Sequence, residues 1–424
     1  MRFVSRTRPA PIVVDDLAAP RLPWWFRAAR AAARPTRDVV HLDPDSLLTA
    51  ARRKASLHDV GDERFLEPLS VLTRALDTES GLTDLGRLMA RQLLVQLLVT
   101  RLRLVDVLLH YPEIRSVEIA APIVILGLPR TGTTHLHNCL AADPALRFLP
   151  YWESLEPISA TPVVPGERDR RITRAAASLA VLNRAMPLFP AMHEITAEGP
   201  HEEIQLLAVE LSSMLFEASY DVPAYRDWYL GADQTHAYAG LRTLLQFLQW
   251  ERGGVRWVLK SPQHLEQMGP LLSTFPDAVL VQTHRDPVSV TASMATMAAY
   301  TRRLQHRVVD PVRVGQDWAD RIELMLRASV RDRDTVPGAD RTFDLHFGQF
   351  MAEEDATIAA VYAAAGQPYD TAARLAIDAH RAAHPRGRHG RLAYRLHDLG
   401  LERAELRERF RFYEERFDVP EEAT

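Results

Sequence analysis

From residue 122 onward, short apolar runs take turns with longer stretches of helical spacing. The runs lie at 122–128, 146–149, 255–259, 278–284 and 341–346. Each is too short for a helix, and the first is almost unbroken, as expected for a central strand covered on both faces. After 122–128 a helical pattern puts Leu136, Cys139 and Leu140 on one stripe and stops at Asp143-Pro144. Helical patterns also follow 255–259 and 278–284, and another follows 341–346 as far as Ala365 and Gly366. This alternation predicts an α/β fold, an open parallel sheet with helices on both faces.

Upstream, residues 44–110 repeat apolar positions at spacings of three and four, and Asp43 or Asp45 starts a helix near Pro44. Residues 1–40, with five prolines, read as loosely ordered, and Trp24-Trp25-Phe26 could dock on the body. Residues 168–250 read as helices broken at Pro187, Pro190, Pro200 and Pro223, and the segment from residue 400 as an amphipathic helix. The organisation expected is a mostly helical region 1–110 packed on an α/β domain 111–424, with 151–250 as a helical insertion on the acceptor side.

Composition narrows the classes. A net charge of −4 provides no basic field for nucleic acid. The most apolar helical stretch, near 88–109, carries Arg91, Arg101, Arg103 and Asp106, too many charges for a transmembrane span. Cys139 is the single cysteine, so an internal disulfide and a multi-thiolate zinc site are both excluded. A cytoplasmic setting and no metal are the expectations, and a homo-oligomer is left open. Only Lys54 and Lys260 are lysines, in a chain otherwise rich in arginine. A lysine kept inside a motif therefore draws notice, and Lys260 sits in one.

The segment 122–134, PIVILGLPRTGTT, is strand, tight loop and helix start. That geometry offers backbone N–H groups and a helix dipole to phosphate. The glycine spacing is that of a P-loop, but Thr133 stands where a Walker A loop has Lys, and the basic group is Arg130. The expected donor is a phosphorylated nucleotide other than a nucleoside triphosphate. Ligands of open parallel sheets bind beyond the carboxyl ends of the strands. Those ends are Arg130–Thr134, Pro150–Ser154, Lys260–His264 and Arg285–Pro287. In HRDPVSVTAS, Asp286 is an N-cap and Pro287 an N1 residue, so Arg285 and Ser293 can turn toward one anion.

GLPRTGTT, then WVLKSPQHL, then HRDPVSVTAS resembles the sulfotransferase family that uses 3′-phosphoadenosine 5′-phosphosulfate (PAPS), in its bacterial branch with an N-terminal helical region. The resemblance implies a P-loop-like sheet. It also implies that Arg130, Thr131, Gly132, Thr133 and Thr134 hold the 5′-phosphosulfate, with His135 near enough to touch nucleotide. Arg285 and Ser293 would hold the 3′-phosphate, and PRGRHG, with Arg386, Gly387, Arg388 and Gly390, would close over it. Phe347 stands where related enzymes carry a tyrosine near adenine.

Sulfuryl transfer needs cations and N–H donors on the leaving phosphate and a base for the acceptor hydroxyl. Lys260 is the candidate cation. Glu153, His193 and the pair Glu202 and Glu203 are the candidate bases. The acceptor is expected to be a small molecule or glycolipid, bound among Met186, Phe189, Met192, Met214, Phe216, Tyr220, Tyr225, Trp228 and Tyr229. A P-loop kinase and a non-catalytic phosphoadenosine binder are the competing readings.

Overall fold

The computed structural model describes residues 11–36, 38–161, 166–385 and 387–422. Its strands are β1 (Ile12–Val13), β2 (Ile123–Gly127), β3 (Leu146–Arg147), β4 (Arg256–Lys260), β5 (Val279–His284), β6 (Phe343–His346) and β7 (Leu392–Ala393). Five of them form a parallel sheet in the order β3-β4-β2-β5-β6. Strand β2 lies at the centre and is buried at every position. Ile123 and Ile125 pack in one layer with Leu136, Val258 and Val281, and Val124 and Leu126 in the other with Leu259 and Leu280. Both faces are covered, so the strand reads as a run of apolar residues instead of an alternation.

Register fixes where the polar ends fall. Ile125 pairs with Lys260 and Gly127 with Thr283, so the loops after β2, β4 and β5 leave the sheet at the same edge. Strand bounds shift from the expected ones by one or two residues. Strand β6 starts at Phe343 because Ala339–Arg341 forms a 3-10 turn. The helix after it is interrupted at Glu353, giving Phe347–Ala352 and Glu354–Ala364.

The N-terminal helices are Pro44–Ala55, Leu66–Thr78 and Asp84–His110. Asp43 caps the first, accepting from the Ser46 N–H at 2.9 Å. Leu94, Leu98 and Leu102 belong to the same hydrophobic core as Val124 and Leu126. Gly86 lets the long helix approach the body closely, since a Cβ there would lie 2.2 Å from the Gln305 carbonyl oxygen.

The expectation of loose order before residue 40 is corrected for the described part, residues 1–10 lying outside it. Strand β1 pairs with β7, the helix Trp24–Ala32 buries Phe26, and Asp16 pairs with Arg303 at 2.8 Å. Of the aromatic cluster, Phe26 docks while Trp24 stays exposed. The last helix, Arg403–Phe417, turns Leu406, Phe410, Tyr413 and Phe417 inward. No described helix is long and apolar enough to cross a membrane.

Candidate active site

Strand β2 leaves the sheet through Gly127 at φ 149°, where a Cβ would stand 2.3 Å from Thr283 Oγ1. Arg130 adopts φ 72°, a left-handed conformation that residues with a Cβ seldom take and that clusters at functional sites. Gly132, at φ 91°, then opens the helix Thr133–Ala141. The first N–H groups of a helix have no partner within it. Here they belong to a turn whose residues Gly132, Thr133 and Thr134 line a large cavity. Thr131 behaves differently. Its hydroxyl donates to the Leu128 carbonyl at 2.6 Å and lies 2.6 Å from Thr283 Oγ1, so its side chain braces the loop from inside.

Arg285 and Ser293 are linked through Arg130. The Arg285 guanidinium donates to the Arg130 carbonyl at 2.6 Å, and Arg130 Nε donates to Ser293 Oγ at 3.1 Å. Arg130 also reaches the Met192 carbonyl. Asp286 caps the helix Pro287–Arg302 through the Val288 N–H at 2.9 Å and is held by Arg407 at 2.7 Å. Arg285 lies 4.3 Å over the Phe347 ring and binds the Glu422 carboxylate through two nitrogens, at 2.6 and 2.8 Å. A carboxylate gripped at both oxygens shows the fork geometry that also suits a phosphate. Ser293 itself is buried behind Arg130.

Lys260 ends β4 with its backbone N–H donating to both Glu203 oxygens, at 2.9 and 2.8 Å. Glu203 is fully buried and also meets His264 Nε2 at 3.4 Å, while His264 Nδ1 meets the Tyr238 hydroxyl at 2.8 Å. Glu203 thus clamps the strand end, away from the cavity. The Lys260 ammonium lies between Thr134 Oγ1, at 3.4 Å, and the Glu202 carboxylate, and both partners face the cavity. Burial works to raise the Glu202 carboxyl, but Lys260, His193 and His201 outweigh it and hold it at about 2. His193 and His201 also line the cavity, with rings 6.4 Å apart. Burial lowers them to about 4 and about 3, so both are neutral imidazoles at pH 7.

Glu153 is a correction. It is fully buried off the cavity wall, paired with Arg147 at 3.0 Å and Arg252 at 3.2 Å. The helix Tyr151–Leu155 turns Tyr151 to the cavity and Glu153 into the protein body. Of the acceptor candidates, Met186, Phe189, Met192 and Met214 line the cavity. Phe216, Tyr220, Tyr225 and Tyr229 are core residues instead, Tyr225 spending its hydroxyl on the Leu211 carbonyl at 2.9 Å.

The cavity encloses about 1120 Å³. His135 stands on its wall with Nε2 at 2.8 Å from Glu354, and His137, two residues on, is buried away from it. Gly387, Arg388 and Gly390 close one side, and Arg388 reaches across to Glu194. Burial pushes the Glu194 carboxyl up, but Arg388 and His389 more than reverse this, leaving it below the usual range. Arg386 lies outside the described residues. His201, Glu194 and Glu422 escape a reading of the sequence, because each reaches the site from a loop or terminal segment with no motif. The one local hint is that His201 stands next to Glu202.

Residues 122–371 match the sulfotransferase family. Among solved structures the chain is similar to sulfotransferase STF1 from Mycobacterium tuberculosis H37Rv, at 32% identity and a TM-score of 0.72, covering 87% of this chain and 98% of that one. It is also similar to sulfotransferase STF9 from Mycobacterium avium, at 25% identity and a TM-score of 0.79, covering 90% and 98%. No match is found among curated proteins. A family match over more than half of the chain, on a parallel sheet with this loop at its edge, makes the chain a member of the sulfotransferase family and an enzyme.

Proposed function

We propose that the enzyme moves a sulfuryl group from PAPS to a hydroxyl of an apolar acceptor, releasing 3′,5′-ADP. The observation that carries this reading is the meeting of Arg285, Arg130 and Ser293 beside the glycine loop. The loop suits the 5′ end of the donor, and the arginine–serine group suits a second phosphate. Thr133 in the Walker lysine position speaks against a nucleoside triphosphate.

In this mechanism the N–H groups of Thr133 and Thr134 and the side chain of Arg130 hold the donor's 5′ end. Arg285 holds its 3′-phosphate, joined by Ser293 once Arg130 turns from the serine to the donor, with Gly387 and Arg388 closing over it and Phe347 beside its base. Lys260 turns from Glu202 to the oxygen that bridges sulfur and phosphorus. There it stabilises the negative charge that grows as the S–O bond to phosphate breaks. His193 accepts the acceptor's hydroxyl proton as the new O–S bond forms, and the electron pair of the broken bond leaves on the phosphate. A neutral imidazole has the free lone pair this step needs. Glu202, freed from Lys260, favours the imidazolium that results.

Incubation with ³⁵S-labelled PAPS and a panel of alcohols, phenols and amines tests the proposal. Label appearing in an acceptor with release of 3′,5′-ADP is expected. Magnesium-dependent ATP turnover without sulfate transfer would replace it with the kinase reading.

A further inference from the structure

The cavity has a composition that the nucleotide does not explain. Seven of the chain's ten methionines, Met89, Met186, Met192, Met214, Met294, Met297 and Met351, line it. They come from six separate segments, so no local repeat produces the enrichment. Thioether side chains have three rotatable bonds and a polarisable sulfur, and they mould to irregular apolar shapes. A site for a flat phenol gains by aromatic stacking, and a site for a sugar needs convergent polar groups. The cavity's rings, Phe148, Tyr151, Phe189 and Phe347, lie on other segments, and the face that the helix Pro287–Arg302 turns to it, Met294, Met297 and Ala298, has neither character.

The helix Pro287–Arg302 gives the arm a direction. Ser293 lies at the arginine cluster, and Met294, Met297, Ala298 and Thr301 follow it along the cavity on one helical face. From Ser293 to Thr301 the axis advances about 12 Å at ~1.5 Å per residue. The Thr301 hydroxyl proton is shared between the Met297 and Ala298 carbonyls, at 3.0 and 3.1 Å, so it has no proton left to donate to a ligand. Beyond it the wall continues through Leu304 and Gln305 to Met89 of the helix Asp84–His110. Gln305 is bound to that helix's cap, its carbonyl accepting from the Thr83 N–H at 2.8 Å. The polar floor of His193 and Glu202, with Lys260 held just behind Glu202, therefore opens into a long, adaptable, apolar arm that ends against the N-terminal helices.

Resting on the sulfotransferase reading above, we infer that the acceptor is a flexible aliphatic alcohol. Its hydroxyl reaches the His193–Lys260 floor and its unbranched chain lies along the methionine arm. Met297 helps to set the chain length that fits. Phenols and free sugars are poor acceptors in this account.

The test uses straight-chain primary alcohols of increasing length with labelled PAPS, and separate titration of 3′,5′-ADP. kcat/KM is expected to rise by roughly fourfold per added methylene, as burial of each such group implies, and then to level off. Met297→Trp should move the plateau to shorter chains and Met297→Ala to longer ones, with 3′,5′-ADP affinity and melting temperature unchanged. A flat response to chain length, or phenols or sugars outrunning every alkanol, overturns the inference while the donor reading stands. Absence of 3′,5′-ADP binding overturns the donor reading itself. A Met297→Trp enzyme that is folded and binds 3′,5′-ADP yet keeps the wild-type plateau removes Met297 from the account.

Discussion

The two walls of the cavity are built in opposite ways. The donor wall comes from short loops at strand ends, where Gly127, Arg130, Gly132, Arg285 and Asp286 are fixed by backbone geometry and caps. The wall assigned to the acceptor comes from side chains on several helical segments between Met89 and Leu304. Rigid elements serve a ligand whose phosphates must be met by groups at fixed places. Soft methionines serve a partner defined by apolarity. In the proposed reaction the first wall positions the donor and the second selects the acceptor.

Substitutions where the walls meet should have the largest effects. His193→Ala should lower kcat by about 10²–10⁴-fold, the worth of a general base, and Lys260→Ala by about 10²–10³-fold. His193→Ala should leave 3′,5′-ADP binding close to wild type. Wild-type turnover in His193→Ala would return the base to Glu202.

Acid should weaken the fold around the site. Burial depresses His137, His193 and His201 to about 3, 4 and 3, from an unfolded value of 6.5. The unfolded chain therefore takes up protons first. Stability is complete above pH 6.5 and is lost as pH falls toward 4, by up to about 4 kcal/mol per pH unit for the three together. Urea midpoints at pH 7.5 and 5.5 measure this, and His201→Asn should flatten the dependence by about a third. A midpoint unchanged between those pH values would contradict the burial of these rings.

Glu153→Gln separates structure from chemistry. It leaves Arg147 and Arg252 without a buried carboxylate, which should cost about 3 kcal/mol of stability, while kcat at 20 °C stays within twofold of wild type, well under ~1 kcal/mol. Lost turnover in a folded Glu153→Gln enzyme would reinstate it as a catalytic group. The smallest effect belongs to Glu422, whose carboxylate shares Arg285 with the incoming phosphate. Glu422→Gln should tighten 3′,5′-ADP by roughly two- to fivefold, as for a partly exposed ion pair. Weaker binding would mean that Glu422 assists the site.

The same contrast explains what was legible in the chain. Strand β2, the Asp286-Pro287 helix start and the Lys260 strand end announce themselves locally, because apolar runs, caps and glycine spacing act over a few residues. Glu153 misleads because its position after β3 places it at the ligand edge, while the turn of a five-residue helix aims it at Arg147. Glu202 and Glu203 are neighbours with opposite fates, one facing the cavity and one clamping the Lys260 backbone, and only the packed fold separates them. The N-terminal order is hidden for a related reason, since β1 is held by β7 from the far end of the chain.

The most direct test of the central claim is calorimetric titration of the wild-type enzyme and Arg285→Ala with 3′,5′-ADP and 5′-AMP. Wild type should bind 3′,5′-ADP at least about tenfold more tightly, as one charge-assisted phosphate contact implies, and the variant should bind the two alike. Equal affinities in the wild type, or a preference that survives in the variant, would contradict the assignment of Arg285 to the second phosphate.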